Sequence, residues 1–260
     1  MPNSSQLRIV DLRDTIAVVL AAGLGKRMGG EMPKVLAELR GKPLVNWVVE
    51  AIQAAGISRI IVVIGHKGEL VQQALAGVEV EFVWQRKLLG TAHAVMQARS
   101  QLESHTGEVI VFLGDVPLIQ TETVNQVVGL HRDKIAAATI LSADLPDPSG
   151  YGRIVRQADG MVERIVEDRD ADDKIRSIKE INSGLICFST PELLSALNEV
   201  SDDNAQGEYY LTDVAEIFRA RGLPVAAWKA DDPIEIAGVN SPEQLAVLEE
   251  AAARQETPGQ

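Results

Sequence analysis

The chain has 260 residues, a length that suits one large α/β domain or two small ones. Its 46% hydrophobic content is enough to bury a full core, and no stretch approaches the roughly eighteen uninterrupted apolar residues of a membrane span. A net charge of −12 disfavours nucleic acid and anionic membranes as partners, while the lone cysteine, Cys187, excludes an internal disulfide and fits a reducing cytoplasm.

Residues 1–14 carry Arg8, Asp11, Arg13 and Asp14, so they form neither a signal h-region nor an acid-poor transit peptide. They read as a loose extension of a domain over 15–253, and the polar tail 254–260 reads as frayed. Residues 15–20 predict a first buried strand. It runs into Leu20-Ala21-Ala22-Gly23-Leu24-Gly25-Lys26-Arg27-Met28, followed by Pro33-Lys34. Small residues let backbone N–H groups approach a phosphate closely, and Lys26, Arg27 and Lys34 supply the compensating charge. In an acidic chain, cations gathered after a strand point to a triphosphate site. The loop lacks the third glycine of a dinucleotide fingerprint and the Gly-Lys-Ser/Thr of a Walker loop.

The spacing of Leu44, Trp47, Val48, Ala51, Ile52 and Ala55 predicts a helix over 44–55. A strand over 59–64, a helix over 69–76, a strand over 80–84, a helix over 91–102 and a strand over 108–113 follow. This alternation implies a Rossmann-like, doubly wound α/β fold with a mostly parallel sheet covered on both faces. The second half is less regular. Shorter strands, some antiparallel, are predicted over 136–141, 153–155, 162–166, 184–188 and 223–227, with helices over 191–199, 211–220 and 242–252. These later strands are expected to wall in a substrate pocket. Cys187, within Leu185-Ile186-Cys187-Phe188, reads as a small buried apolar residue.

Gly114-Asp115 follows a strand, at the edge where open α/β sheets bind ligands. Asp115 there can hold Mg²⁺ or cap the next helix or turn, and the phosphate loop favours the metal. Asn240 is the candidate second oxygen ligand, although helix geometry alone makes Asn240 or Ser241 an N-cap before Pro242. Gln85 can pair with the edge of a base, Gly90 permits close backbone approach, and Thr91 caps the next helix. His93 has no orienting partner in the sequence and reads as packed rather than catalytic. Gly150-Tyr151-Gly152-Arg153 and Asn182-Ser183-Gly184 precede strands as turns do. Glu167 is either a hydrogen-bond acceptor for a substrate or a solvated charge beside Asp168.

The 20–28 loop with Pro33-Lys34, Gln85 through Gly90-Thr91, Gly114-Asp115-Val116-Pro117-Leu118, Gly150 to Ile154, Asn182-Ser183-Gly184, the 206–213 block and Gly238-Val239-Asn240 occur in a family's order. They resemble the sugar-1-phosphate nucleotidylyltransferases, and among these the uridylyltransferase half of the bifunctional bacterial N-acetylglucosamine-1-phosphate uridyltransferases, from about residue 15 to 250. The resemblance implies a sheet of the nucleotide-diphospho-sugar transferase type and transfer of UMP from UTP to N-acetylglucosamine-1-phosphate with Mg²⁺. By position, Leu20, Ala21, Ala22 and Gly23 would contact the nucleotide. Arg27, Lys34 and Asp115 would carry catalysis, with Arg27 and Lys34 facing phosphates. Gln85 and Gly90 would read uracil, with Thr91 beside them, and Leu113 and Gly114 would line the site. Gly152, Glu167 and Asn182 would hold the N-acetylated sugar, and Asp115 with Asn240 the metal.

Four residues depart from the family's pattern: Leu88 for Gln, Ala92 for Gly, Leu113 for Tyr and Ser183 for Thr. They bear on contacts to base and sugar. The family's left-handed β-helix of hexapeptide repeats, which transfers acetyl groups and drives trimerisation, has no counterpart here, so neither property is expected. The alternatives are a transferase for glucose-1-phosphate or another nucleotide, and a non-catalytic sugar-nucleotide sensor. Intact Arg27, Lys34, Asp115 and Asn240 argue against the sensor.

Overall fold

Alternation along β1 (Ile16–Ala21) sends Ile16 and Val18 to one face of a sheet and Ala17, Val19 and Ala21 to the other. Both faces are apolar, so both must be covered. The computed structural model describes residues 10–23 and 32–255. A two-residue pair, β2 (Glu38–Leu39) and β3 (Lys42–Pro43), leads into α1 (Leu44–Ala54), β4 (Arg59–Ile64), α2 (Gly68–Ala74) and β5 (Glu81–Trp84). Next come α3 (Thr91–Met96), α4 (Arg99–Leu102), β6 (Glu108–Leu113), α5 (Thr121–Asp133) and β7 (Ala138–Asp144). The later part holds β8 (Arg153–Arg156), β9 (Val162–Val166), α6 (Asp173–Arg176), β10 (Glu180–Ser189), α7 (Thr190–Ala196), α8 (Asp213–Ala220), β11 (Val225–Lys229) and α9 (Pro242–Gln255).

The main sheet runs β11-β7-β10-β6-β1-β4-β5, and β8 and β9 branch from β10. Every pairing among β5, β4, β1 and β6, and that of β7 with β11, is parallel. β10 is antiparallel to both its neighbours, so it is the reversed member of a mostly parallel mixed sheet. Ile61, Val63, Val109 and Val111 build one core with Val95 and Phe218, while Ile60, Val62, Ile110 and Phe112 build the other with Val48, Ile52, Val124 and Val127. A third cluster places Leu248 of α9 with Leu39, Leu44, Leu118 and Val239. No helix among the described residues is long and apolar enough to cross a membrane.

Several elements differ from their sequence-based expectation, each for a physical reason. The segment read as one helix over 91–102 is two. Gln97 donates its side-chain Nε2 to the His93 carbonyl at 2.9 Å, while its backbone N–H turns to Ala94 and that of Ala98 to Val95. The α-helical ladder therefore tightens and breaks there. α5 has no counterpart in the sequence reading. Its buried Val124, Val127 and Val128 have helical spacing, but Glu122, Arg132 and Asp133 dilute the pattern. β10 extends four residues earlier than expected, because Glu180 and Asn182 pair with Asp144 and Ser142 across β7. The chain is already docked before residue 15: Leu12 is 2% exposed, and Arg132 donates to the Asp11 carbonyl.

His131, on α5, is 4% exposed, and its Nδ1 lies 3.1 Å from Thr139 Oγ1. Burial, with Glu108 opposing and Arg132 adding to it, lowers its pKa to about 4. The unfolded chain takes up a proton below about pH 6.5, where the folded chain does not. Stability is therefore full above pH 6.5 and falls as pH drops towards 4, by up to about 3 kcal/mol. Denaturant midpoints of wild type and His131→Asn, measured from pH 7.5 to 4, should diverge, the variant losing less. Parallel curves would show that His131 does not carry this limb.

Candidate active site

β1 has parallel partners on both sides, and the chain winds to β4 and β5 on one side but crosses to β6 on the other. At such a reversal the loops leaving two adjacent strands part, opening a crevice at their carboxyl ends. Gly114, just after β6, donates its N–H to the Leu20 carbonyl at 3.0 Å. A Cβ there would sit 3.1 Å from both Leu20 O and Val35 Cγ1, so glycine lets the two strand ends close up. A cavity of about 240 Å³ opens beside this junction.

At the cavity's charged end, Lys34 Nζ lies 2.5 Å from Asp115 Oδ2 and 2.9 Å from Asn240 Oδ1. Lys34 begins a short 3₁₀ turn, Lys34–Leu36, whose Val35 is 2% exposed. Asp115 is 4% exposed and does not cap α5, whose N-cap is Gln120. The cap before α9 is Ser241, whose Oγ accepts from Gln244 N–H at 3.3 Å. Asn240 is thereby free to turn its side chain into the cavity, while its backbone N–H donates to Gln244 Oε1 at 2.7 Å. The Val239 N–H donates to the Asp115 carbonyl at 3.0 Å and brings the two segments together.

Gly152, Glu167 and Asn182 line the same cavity. Between Asn182 and Ile186, β10 bulges away from β7, with Gly184 at φ +85°. Such a bulge re-aims side chains. Asn182 Oδ1 accepts from Gly184 N–H at 3.0 Å, which leaves its Nδ2 as a donor on the cavity. Glu167 accepts from Thr212 Oγ1 at 2.9 Å, and burial pushes its carboxyl up from the ordinary range. Its neighbour Asp168 points away, pairing with the fully buried Arg153 at 3.0 Å. A Cβ on Gly152 would meet the Glu167 oxygens at 3.4 and 3.5 Å, so the glycine makes room for the acid. Thr212 and Tyr151 also line the cavity, a role the sequence reading did not assign them. Both lie in motifs that it singled out.

Leu20, Lys34, Thr91, Leu113, Asp115, Gly152, Glu167, Asn182 and Asn240 thus share one cavity. Ala21 and Ala22 are buried in the two cores flanking β1, and Gly23 follows them exposed. Lys26 and Arg27 lie outside the described residues. Gln85 lies apart, in a depression with Gly65, His66, Trp84, Arg86 and Leu88. Thr91 does not cap α3, whose N-cap is Gly90; its Oγ1 accepts from Leu211 N–H at 3.0 Å instead. Gly90 permits a close approach, but to this chain's own backbone. With φ +108°, its missing Cβ would fall 2.5 Å from Tyr209 O. Tyr209 meanwhile bonds Leu89 O and Ala92 N–H at 2.8 and 2.9 Å. His93 is packed, with its ring between the amides of Gln85 and Gln97.

Gly90→Ala should therefore act on folding: strain at positive φ and a clash with rigid backbone together cost at least about 2 kcal/mol. Thermal unfolding checks this, and a variant of unchanged melting temperature would place the role of Gly90 elsewhere.

The model of the MobA-like NTP transferase domain matches residues 17–213 of the chain. The chain is 48% identical over 231 residues to the bifunctional protein GlmU of Acetivibrio thermocellus, covering 89% of this chain and 50% of that protein. It is 45% identical over 241 residues to the bifunctional protein GlmU of Pelotomaculum thermopropionicum, covering 93% and 52%. It thus spans about half the length of these curated relatives. A solved UDP-glucose pyrophosphorylase complexed with UDP-glucose shares the fold, with a TM-score of 0.76 at 18% identity, over 93% of this chain and 99% of that one. A strand-end cavity built at a sheet's topological reversal, on a sequence that matches this domain over most of its length, makes the chain a nucleotidyltransferase that belongs to the MobA-like NTP transferase family.

Proposed function

We propose that the chain transfers the UMP group of UTP to N-acetylglucosamine-1-phosphate and releases pyrophosphate. The observation that most supports this is the division of one cavity into two chemistries. Lys34, Asp115 and Asn240 form one bonded, charged cluster on its lining, while Asn182 and Glu167 contribute an amide and a carboxylate to the same lining. An amide N–H donor and a carboxylate acceptor suit an acetamido group and a sugar hydroxyl. The match to GlmU proteins supports the resemblance on which the amino-sugar assignment rests, and a UDP-glucose pyrophosphorylase complexed with UDP-glucose shares the fold.

A phosphate oxygen of the sugar-1-phosphate attacks the α-phosphorus in line, one new P–O bond forms, and the bond to the β-phosphate oxygen breaks. A phosphate monoester is largely dianionic near neutral pH, with a second pKa of about 6, so no side chain has to remove a proton. The obstacle is repulsion between two polyanions, which positioning and charge overcome. Lys34 would hold a phosphate oxygen, and Arg27, on resemblance, the departing pyrophosphate. Glu167 and Asn182 would fix the sugar so that its phosphate meets the α-phosphorus.

The Asp115–Asn240 pair fits Mg²⁺. Both present oxygens, the donor type this ion takes, and the Lys34 ammonium already stands as a cation within hydrogen-bonding distance of both. When bound, the ion supplies charge neutralisation on the triphosphate. Cys187, free and buried, agrees with a reducing cytoplasm.

Asp115→Ala should lower kcat on the order of a hundredfold while the melting temperature stays near wild type. Chelation by EDTA should abolish turnover in the wild type. Pyrophosphate release with a panel of sugar phosphates tests the substrate assignment. N-acetylglucosamine-1-phosphate should exceed glucose-1-phosphate in kcat/KM, because the Asn182 amide loses its partner when the acetamido group is missing. Equal values would favour a general hexose-1-phosphate transferase, and no turnover with any sugar phosphate a sensor.

A further inference from the structure

Gln85 is only 4% exposed, yet it lines an open depression with Gly65, Trp84, Arg86 and Leu88. The depression adjoins the end of β1, since a Cβ on Gly65 would lie 2.9 Å from both Cβ and O of Ala22. Gln85 Nε2 donates to the Gly90 carbonyl at 3.0 Å and lies 3.0 Å from His93 Nδ1. A carbonyl only accepts, so the amide nitrogen must occupy that side. The second N–H then needs an acceptor, which a neutral His93 carrying its proton on Nε2 provides. A charged ring would instead point an Nδ1–H donor at the Gln85 amide nitrogen, 3.0 Å away, and leave the amide's second N–H without an acceptor. Burial, and Lys87 nearby, also hold the ring below its usual pKa. With both N–H groups engaged, Gln85 Oε1 is left as an acceptor without a hydrogen-bond partner among the described residues.

We infer that His93 is a positioning residue for base selection: it locks the Gln85 amide so that Oε1 meets the ring N–H of a uracil. This rests on the uridine-nucleotide reading above. Uracil N3 carries a hydrogen where cytosine N3 carries a lone pair, so a fixed acceptor attracts one base and repels the other. Were the amide free to turn, it would offer either base a partner. The hydrogen bond to Gly90 restrains one N–H, and His93 removes the remaining freedom.

The test compares two polar, uncharged substitutions. His93→Asn carries an amide oxygen near the position of Nδ1, whereas His93→Gln carries it near Nε2, out of reach of Gln85. Dissociation constants for UDP and CDP by calorimetry, and kcat and KM for UTP and CTP, are measured for wild type and both variants. Wild type and H93N should prefer the uridine nucleotide. H93Q should lose at least about tenfold of that preference through KM for UTP, with kcat little changed. If H93Q does not fold, His93→Ser, which has no acceptor in reach, replaces it with the same expectation. An undiminished preference in H93Q, or a loss in H93N as complete as in H93Q, overturns the inference alone. A wild type that does not distinguish uridine from cytidine nucleotides overturns the function reading together with it.

Discussion

The parallel pairing of β1 with both β4 and β6 is the constraint on which the rest of the molecule depends. A strand flanked on both sides by parallel partners sends every neighbouring loop to the same edge, and the change of winding direction at β1 pulls those loops apart. The gap is therefore a product of topology before any side chain is chosen. Gly114 then brings the ends of β1 and β6 within a single hydrogen bond, so that Leu20 and Asp115 belong to one surface. The charge contacts of Lys34 with Asp115 and Asn240 are built on that frame.

The reversed strand β10 makes the other half of the cavity. Inserted antiparallel between β6 and β7, it pairs with β8, and β8 with β9, which brings Gly152 and Glu167 to the cavity wall. Its bulge gives up regular pairing at Ser183 and Gly184, and Asn182 gains a fixed orientation through the N–H of Gly184. Lys34, Asp115 and Asn240 sit beside the ends of regular elements, whereas an interruption of regular structure orients Asn182.

That difference also explains how much was legible in the sequence. The β-branched run Arg59–Ile64 and the run Glu108–Leu113 match the observed strands residue for residue, because continuous apolar residues buried on two faces have few alternative states. The place of Asp115 at a strand's carboxyl end was readable because it follows the run Glu108–Leu113 almost directly. Helix α5 was missed because its apolar stripe is only three valines wide, and the break after α3 because a side chain, Gln97, competes for a backbone carbonyl. The functions of Gly90 and Thr91 were read from local spacing, yet both serve the 209–211 segment, more than a hundred residues away. No local pattern encodes such a contact. Asn240 shows the converse, since the cap expected of it or its neighbour is taken by Ser241, and only the three-dimensional arrangement reveals which of the two is free.

Lys34 and Asn240 are 206 positions apart in the chain, and Leu248 of α9 shares a core cluster with Val239, the residue before Asn240. Closing a loop of that span carries an entropic cost that the packing of the rest of the chain has to offset. The cavity is thus a property of the completed fold, which brings Lys34 and Asn240 together. A ligand that spans them binds the native state and not its precursors, so it draws the whole folding equilibrium towards completion. Protection of slowly exchanging amides in β1 by such a ligand would consequently report global closure of the chain, even though β1 is among the first elements to be synthesised.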